Sequence, residues 1–317
     1  MNNRQKNFIK TAFLVTLSCV AVVVSTGCGP KPSGESSNTK PGAKPATTPI
    51  GDTLRLTIVP YEAANKLTEE YTPMAKYLAK KMGRKEGVFF PVSDYAGVLP
   101  ALQAGQVDVA YLSPLPYAIG SSQMKLHPLA MPYVRGTLTY NGIIFVKADS
   151  NIKTLADLKG RTFAFGDPGS TSGYLLPRGL LEKNGIPLTS LKHYYNAGDA
   201  DVVVKAVENG AADAGAAYSL VFEVAYKGHP EKAKLMRVIA KTEDLPNGIY
   251  VARGDLSDDD VAKLKQAFMD MNTDPEGRAA MLKAPNDKIV PPDDHMFDTI
   301  RETAKSAGIG VRALKKK

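Results

Sequence analysis

Short stretches of alternating hydrophobic and polar residues are separated along the chain by helical patterns. The first elements follow in this order: a strand at 54–59, a helix at 72–82, a strand at 88–92, a helix at 96–104 and a strand at 107–112. Strands that alternate with helices predict parallel pairing through right-handed crossovers. The pattern therefore predicts an α/β fold.

The same alternation returns in the second half of the chain. Strands are predicted at 129–134, 138–146, 162–165, 192–195 and 211–218, and a last strand at 248–252. Three helices follow, near 258–271, 275–282 and 293–307, and we expect them to pack on the first part because amphipathic helices cannot bury their apolar faces alone.

Two α/β lobes are the simplest interpretation of this order. The first lobe is expected at 52–147 and 247–317, and the second at 148–246. The chain would then cross between the lobes twice, near 147–153 and 242–248, which together would form a two-segment hinge.

The N-terminus has the pattern of a secretory signal. Three basic residues precede an apolar run at 11–24, and Ser25-Thr26-Gly27-Cys28 follows. The run is short for a transmembrane helix. Cys28 resembles the lipid-attachment cysteine of bacterial lipoproteins, and the alternative is a plain signal peptide with an incidental cysteine. The signal is predicted at 1–27, and the Pro-, Gly- and Ser-rich residues 28–51 predict a disordered tether, so the protein is expected to be extracytoplasmic and lipid-anchored.

Composition excludes several kinds of partner. The net charge of +8 falls to about +3 from residue 52 onward, which is not the charge of a nucleic-acid-binding protein. The second cysteine, Cys19, lies inside the predicted signal, so no disulfide is expected in the mature chain. We expect a monomer.

The stretch from Thr162 to Tyr174 predicts a short buried strand, a tight turn and the start of a helix. Ser170, Thr171 and Ser172 stand at that helix start. A helix N-terminus with free N–H groups and hydroxyls is a suitable site for a small oxyanion. The alternative is an ordinary N-cap with two spare hydroxyls.

No catalytic or metal-binding constellation is present in the sequence. The four histidines are scattered without metal-ligand spacing. Gly169 to Gly173 has Thr171 where a nucleophile elbow needs serine, and no lysine follows as in a phosphate-binding loop of nucleotide enzymes. We therefore expect no enzyme activity, no cofactor and no metal.

Hydroxyl groups follow several predicted strands. Because the carboxyl ends of parallel strands face a common crevice, these groups are expected to converge on one ligand. The candidates are Tyr61, Tyr95, Ser113 and Tyr117 in the first lobe, and Ser170, Thr171, Ser172 and Tyr218 in the second. Hydroxyls and backbone N–H groups can surround an oxyanion as hydrogen-bond donors.

Three segments resemble a known family: residues 90–97, 166–173 and 196–198. They are similar to the signature segments of the periplasmic phosphate/phosphite/phosphonate-binding proteins of ABC importers. The resemblance implies a two-lobed type II periplasmic binding protein fold that closes around a small phosphorus oxyanion and delivers it to a membrane permease with its ATPase. It also implies that Ser170, Thr171 and Ser172 hold the phosphorus oxygens and that Tyr95 donates from the other lobe.

Two positions depart from the family pattern. Asp199 and Ala200 stand where phosphonate binders commonly have histidine, and Pro246-Asn247-Gly248 stands where they commonly have a Pro-Gly-Asp turn, so that Gly248 replaces the aspartate. Asp199 would select a protonated oxyanion, contact a ligand amine or cap the next helix. Phosphite, phosphate, methylphosphonate and a ligand of another class all remain open, as does a ligand-sensing role in place of import.

Overall fold

The computed structural model describes residues 47–306, which form an α/β structure with two sheets. The strands are β1 (Thr53–Ile58), β2 (Glu86–Phe89), β3 (Val109–Leu112), β4 (Leu126–Tyr133), β5 (Thr139–Lys147), β6 (Thr162–Phe165), β7 (His193–Asn196), β8 (Ala214–Tyr218), β9 (Met236–Pro246), β10 (Ile249–Arg253) and β11 (Lys288–Val290). The helices are α1 (Ala64–Lys81), α2 (Tyr95–Gln103), α3 (Pro114–Gln123), α4 (Leu176–Lys183), α5 (Ala200–Glu208), α6 (Val221–Ala225), α7 (Asp258–Asp270), α8 (Pro275–Lys283) and α9 (Asp298–Ser306). The predicted α/β class is confirmed.

The first sheet has six strands in the order β11-β4-β10-β3-β1-β2. Strand β1 pairs in parallel with both β2 and β3, as the alternation of strands and helices predicts. Strand β10 returns late in the chain and runs antiparallel between β3 and β4. The sheet is therefore built from two distant parts of the sequence.

The second sheet has five strands in the order β7-β6-β8-β5-β9. Strand β6 is parallel to β7 and β8, and β5 lies antiparallel to β8 and β9. The expectation that 138–146 belongs with the first lobe, whose limit was placed at 147, is therefore wrong. The cause is long-range pairing of β5, which periodicity along the chain does not reveal, and strand β9 is missing from the sequence prediction for the same reason.

The pairing of the strands shows that one of the two connections between lobes lies earlier in the chain than the expected 147–153. The chain leaves the first sheet at Tyr133 and enters the second at Thr139, and it returns between Pro246 and Ile249. We propose that the hinge lies at 134–138 and 246–248. Asn247 joins these two segments, because its Nδ2 donates to the carbonyls of Pro132 and Thr137 at 3.1 and 2.8 Å.

The C-terminal helices pack on the first sheet's lobe, as predicted. Side chains of α7 and α8, such as Phe268 and Met281, share one buried core with Tyr77 of α1. Phe297 and Ile300 join a second core with Tyr117 of α3. The predicted helix at 293–307 is shorter than expected and begins at Asp298, after a short 3₁₀ turn.

The fold begins before residue 52. Ile50 is buried in the first core, and Arg253 donates from Nη2 to the carbonyls of Thr48 and Pro49. The expectation that the tether extends to residue 51 is wrong for residues 48–50. The backbone carbonyls of Thr48 and Pro49 accept hydrogen bonds from the buried Arg253 guanidinium, and Ile50 is buried. The predicted signal, Cys28 and the remainder of the tether lie outside the described residues.

Candidate functional site

A cavity of about 400 Å³ lies between the two sheets and takes side chains from both. Six tyrosines line it: Tyr61, Tyr71, Tyr95, Tyr111, Tyr140 and Tyr218. Ser113 of the first lobe and Ser170 and Ser172 of the second also line the cavity. The hydroxyl-bearing residues that end several strands therefore meet at one place.

The second lobe presents a helix start to the cavity. After β6 the chain turns at Asp167, whose Oδ1 accepts from the N–H of Gly169 at 2.7 Å. Ser170 then caps the helix, because its Oγ accepts from the N–H of Gly173 at 3.0 Å. The first turn is a π-helix at Thr171–Leu175 that continues into α4. Such π turns are frequent at functional sites.

Thr171 does not line the cavity. Its Oγ1 accepts from the backbone N–H of Leu115 at 2.8 Å, and the side chain is 1% exposed. Leu115 lies in α3 of the first lobe, so this hydrogen bond joins the two lobes. The structure thus gives Thr171 a contact between lobes, while Ser170 and Ser172 lie on the cavity wall.

Tyr117 also lies away from the cavity, contrary to the expectation for that position. Its hydroxyl donates to Asp294 Oδ1 at 2.5 Å, and its ring packs edge-on against Phe297 with centroids 4.7 Å apart. Helix α3 turns this side chain toward the C-terminal segment, which the residue's place after a strand does not predict.

Tyr95 and Tyr140 bring phenols next to the serines. Burial raises the pKa of Tyr95 well above its ordinary value, and a hydrogen bond to Ser170 acts in the opposite direction. Burial likewise raises the pKa of Tyr140 to about 12, against a lowering hydrogen bond to Ser172. Both phenols therefore stay protonated at neutral pH and can donate to an anion.

A second group of residues forms another wall. The rings of Tyr61 and Tyr218 meet at 82° with centroids 6.1 Å apart. The Tyr61 and Tyr71 hydroxyls are 3.0 Å apart, and the Tyr218 hydroxyl donates to Glu62 Oε1 at 3.3 Å.

Glu62 is a buried acid that the sequence prediction missed. It lines the cavity and is 4% exposed. Burial and the charge of Glu70 raise its pKa to about 7, whereas Lys66 and the hydrogen bond from Tyr218 lower it. The available signal was its position directly after Tyr61 at a strand end. Tyr111 carried a similar signal at the end of β3, whereas Tyr71 and Tyr140 carried none.

Asp199 precedes α5 but its side chain makes no capping hydrogen bond to that helix. Its negative charge contributes to the raised pKa of Tyr95, which places it near the cavity. Its neighbours Gly198 and Ala200 line the cavity. The capping alternative is therefore not what the structure shows.

The two lobes contact each other around the cavity. The N–H of Ala200 donates to the carbonyl of Tyr61 at 3.3 Å. Gly169 lies so close to Tyr95 that a Cβ added at this glycine would be 2.5 Å from the tyrosine Cβ. The structure is thus a closed arrangement of the lobes.

Within residues 47–306, no group of three or more His, Cys, Asp or Glu side chains could hold a metal ion. No helix in this range is both long and apolar enough to cross a membrane.

Comparison with known proteins gives consistent results. A protein-family model described as "ABC transporter, phosphonate, periplasmic substrate-binding protein" matches residues 56–297. The phosphate-import protein PhnD of Mycolicibacterium smegmatis is 30% identical over 265 residues, 79% of this chain and 79% of that protein. The phosphonates-binding periplasmic protein of Escherichia coli is 30% identical over 234 residues, 72% of this chain and 69% of that protein.

A solved structure supports the same fold. The binding protein component of an ABC phosphonate transporter from Pseudomonas aeruginosa superposes with a TM-score of 0.73 at 26% identity, covering 79% of this chain and 85% of that one. Together with the two sheets, this match confirms the expected two-lobed architecture.

Proposed function

Because this chain belongs to the family of periplasmic substrate-binding proteins of phosphonate ABC transporters, we propose that its cavity captures a small phosphorus oxyanion. Phosphite, phosphate and methylphosphonate are the candidate ligands. The bound protein then delivers the ligand to a membrane permease that works with an ATPase.

The observation that carries this proposal is the meeting of donors from both lobes in one closed cavity. Tyr95 comes from the first lobe, and Ser170 and Ser172 come from the second. All three carry hydroxyls that can donate to an oxygen of the ligand. The helix start at Ser170 adds backbone N–H groups and the positive end of the helix dipole.

Closure of the lobes strengthens ligand binding because it lowers the dielectric constant around the ligand. A closed cavity excludes water, so each hydroxyl donor interacts more strongly with a charged oxygen than it would in solvent. Because both lobes supply donors, full affinity requires that the lobes meet. A permease can then distinguish the loaded protein by its closed shape.

Ser172→Ala tests the site directly. Ser172 is buried on the cavity wall, so loss of its hydroxyl should weaken binding of the preferred oxyanion about tenfold or more. Isothermal titration calorimetry measures this change. Ser190→Ala is the matched control, because Ser190 is half-buried, its hydroxyl donates to the carbonyl of Pro187, and it lies off the cavity. Equal affinity in wild type and Ser172→Ala would remove Ser172 from the site.

We also propose that the mature protein is held at the membrane by a lipid on Cys28. The support is the sequence order of basic residues, apolar run and Ser-Thr-Gly-Cys at 25–28. Metabolic labelling with a tagged fatty acid should mark wild type and leave Cys28→Ala unmarked. Labelling of the variant would refute attachment at Cys28.

A further inference from the structure

Three acidic side chains meet where the two lobes come together. Glu62 precedes α1 and Glu70 lies within it, both in the first lobe, and Asp201 belongs to α5 of the second lobe. Each has one buried carboxylate oxygen without a hydrogen-bond partner in the described part of the chain: Glu62 Oε2, Glu70 Oε2 and Asp201 Oδ1. The negative charges of Glu70 and Asp201 both act on Glu62.

The ammonium groups beside these acids compensate them only in part. Lys66 Nζ is 3.8 Å from Glu62 Oε2, beyond hydrogen-bond distance, and the Lys66 side chain is 44% exposed. Lys205 Nζ is 3.4 Å from Asp201 Oδ2, and the Lys205 side chain is 68% exposed. Water and salt screen exposed cations of this kind, so a buried carboxylate gains little from them.

The second lobe covers Glu62. The Tyr218 hydroxyl, at the end of β8, donates to Glu62 Oε1 at 3.3 Å, and the Tyr218 ring meets that of Tyr61 edge-on. The N–H of Ala200, next to Asp201, donates to the carbonyl of Tyr61 at 3.3 Å. These contacts cross from one lobe to the other. Opening of the lobes therefore returns Glu62 to water and moves Asp201 away from it.

Closure of the lobes acts on the ionisation of Glu62. Loss of water disfavours a carboxylate, and a like charge brought in by the other lobe disfavours it further. In the closed structure, burial and the charge of Glu70 raise the pKa of Glu62 to about 7. Asp201 adds to this increase, whereas Lys66 and the hydrogen bond from Tyr218 oppose it. Solvation in the open protein returns the pKa toward its ordinary 4.5.

We propose that closure of the lobes is coupled to the uptake of a proton by Glu62, so that the protein binds its oxyanion more tightly as the pH falls. This inference rests on the proposed function and adds a regulation of that same site. Glu62 is a positioning residue in this scheme. It acts through the lobe interface, and contact with the ligand is not required.

The direction of the effect follows from the proton balance. Between about pH 4.5 and 7 the closed form holds the proton and the open form has released it, so a fall in pH favours the closed form. Above this window neither form holds the proton, and closure must bury a carboxylate. From pH 8 to pH 6 this coupling corresponds to an increase in affinity of about tenfold.

Calorimetry with inorganic phosphate at pH 6, 7 and 8 tests the coupling in wild type and Glu62→Gln. Methylphosphonate replaces phosphate if phosphate does not bind. Glutamine is neutral at every pH and keeps the size of the side chain, and ionisation of the ligand affects both proteins alike. The ratio of the wild-type Kd to that of the variant should therefore fall about tenfold from pH 8 to pH 6. A ratio independent of pH would overturn the proposal.

The number of protons taken up on binding is a second readout, obtained from titrations in buffers of different ionisation enthalpy. Between pH 6 and 7, wild type should take up about 0.5–1 proton more per ligand than Glu62→Gln. Glu182→Gln is the matched control and should behave as wild type, because Glu182 is a 48% exposed glutamate of α4 that lies off the cavity. Equal uptake by wild type and Glu62→Gln would refute the coupling.

The outcomes separate this proposal from the proposed function. Binding of a phosphorus oxyanion with a constant ratio of Kd values refutes the coupling and leaves the oxyanion site intact. If no phosphorus oxyanion binds, small-angle X-ray scattering of the protein without ligand becomes the test. Glu62→Gln should then have a smaller radius of gyration than wild type at pH 8, and wild type should approach that value at pH 5.5. Equal radii of the two proteins at pH 8 would count against the coupling.

Discussion

Single hydroxyl groups decide what the cavity can bind. Ser170 illustrates how far a residue's role follows from sequence, because a serine after a turn and before a helical pattern predicts an N-cap, and its Oγ does accept from Gly173. Thr171 shows the limit. Its neighbours line the cavity, but its own hydroxyl contacts Leu115 in the other lobe, a partner that is 56 residues away.

Glu62 shows why a buried charge escapes sequence analysis. A glutamate after a strand is usually solvated, and only the packing of β8 and α1 around it removes it from water. The charged and titratable groups that surround it are Lys66 and Glu70 of α1, Tyr218 of β8 and Asp201 of α5.

The pKa of Glu62 leads to a prediction about stability. Its pKa rises from an ordinary 4.5 to about 7 in the folded protein, so the folded state binds more protons than the unfolded state between these values. The contribution of Glu62 to stability is therefore present below about pH 4.5 and is lost as pH rises through 7. Glu62→Gln should gain relative to wild type across this window, by up to about 3 kcal/mol.

Urea unfolding of both proteins at pH 4.5, 6 and 8 measures this difference. The two stabilities should diverge in favour of the variant as pH rises. A constant difference across the three pH values would show that Glu62 titrates normally.

At the scale of elements, local patterns predict the parallel strands but not the returning ones. The parallel pairing of β1 with β2 and β3 can be predicted from the sequence, because the helical segments between these strands form the crossover connections. Strand β5 pairs with β8 and β9, which lie about 70 to 100 residues further along the chain. Its sheet could not be assigned from periodicity, and Tyr140 at its start was missed with it.

Two threonines give a matched test of the contact between lobes. Thr171 Oγ1 accepts from Leu115 N at 2.8 Å across the lobes, and Thr242 Oγ1 accepts from Gly142 N at 2.8 Å within the second sheet. Replacement by valine leaves a buried N–H unsatisfied, which costs about 1–3 kcal/mol. In Thr171→Val only the closed form is destabilised, because the backbone N–H of Leu115 can hydrogen-bond to water when the lobes open.

Ligand affinity should therefore fall about tenfold in Thr171→Val with little loss of unfolding free energy. Thr242→Val should lose unfolding free energy and keep its affinity. Calorimetry with the preferred oxyanion and urea unfolding measure the two quantities. Equal effects of both substitutions on affinity would argue against a closure role for Thr171.

In the whole molecule, capture of the ligand by donors from both lobes requires the two lobes to close around it. The place where this closure is tightest is Gly169 against Tyr95, where an added Cβ would be 2.5 Å from the tyrosine Cβ. Since the glycine and the tyrosine lie in different lobes, the clash with Tyr95 exists only when the lobes meet, whereas the 3.2 Å approach to Asp167 Oδ1 exists in either arrangement.

Gly169→Ala should consequently hold the lobes apart. We expect weaker ligand binding and, in small-angle X-ray scattering, a smaller decrease of the radius of gyration on ligand addition than in wild type. Gly179→Ala is the control, because Gly179 lies in α4 with no atom within 4 Å of an added Cβ. The control should keep its affinity and gain roughly 0.5–1 kcal/mol of stability. Normal closure by Gly169→Ala would contradict the closed arrangement described here.

The cavity is proposed to bind a phosphorus oxyanion. The most direct measurement is a thermal-unfolding screen of the purified protein with phosphite, phosphate, methylphosphonate, sulfate and unrelated solutes. A ligand at about 100 times its Kd should add about 2.7 kcal/mol, which raises Tm by a few degrees. We expect such a shift for at least one phosphorus oxyanion. No shift for any of them, together with a shift for an unrelated solute, would contradict it.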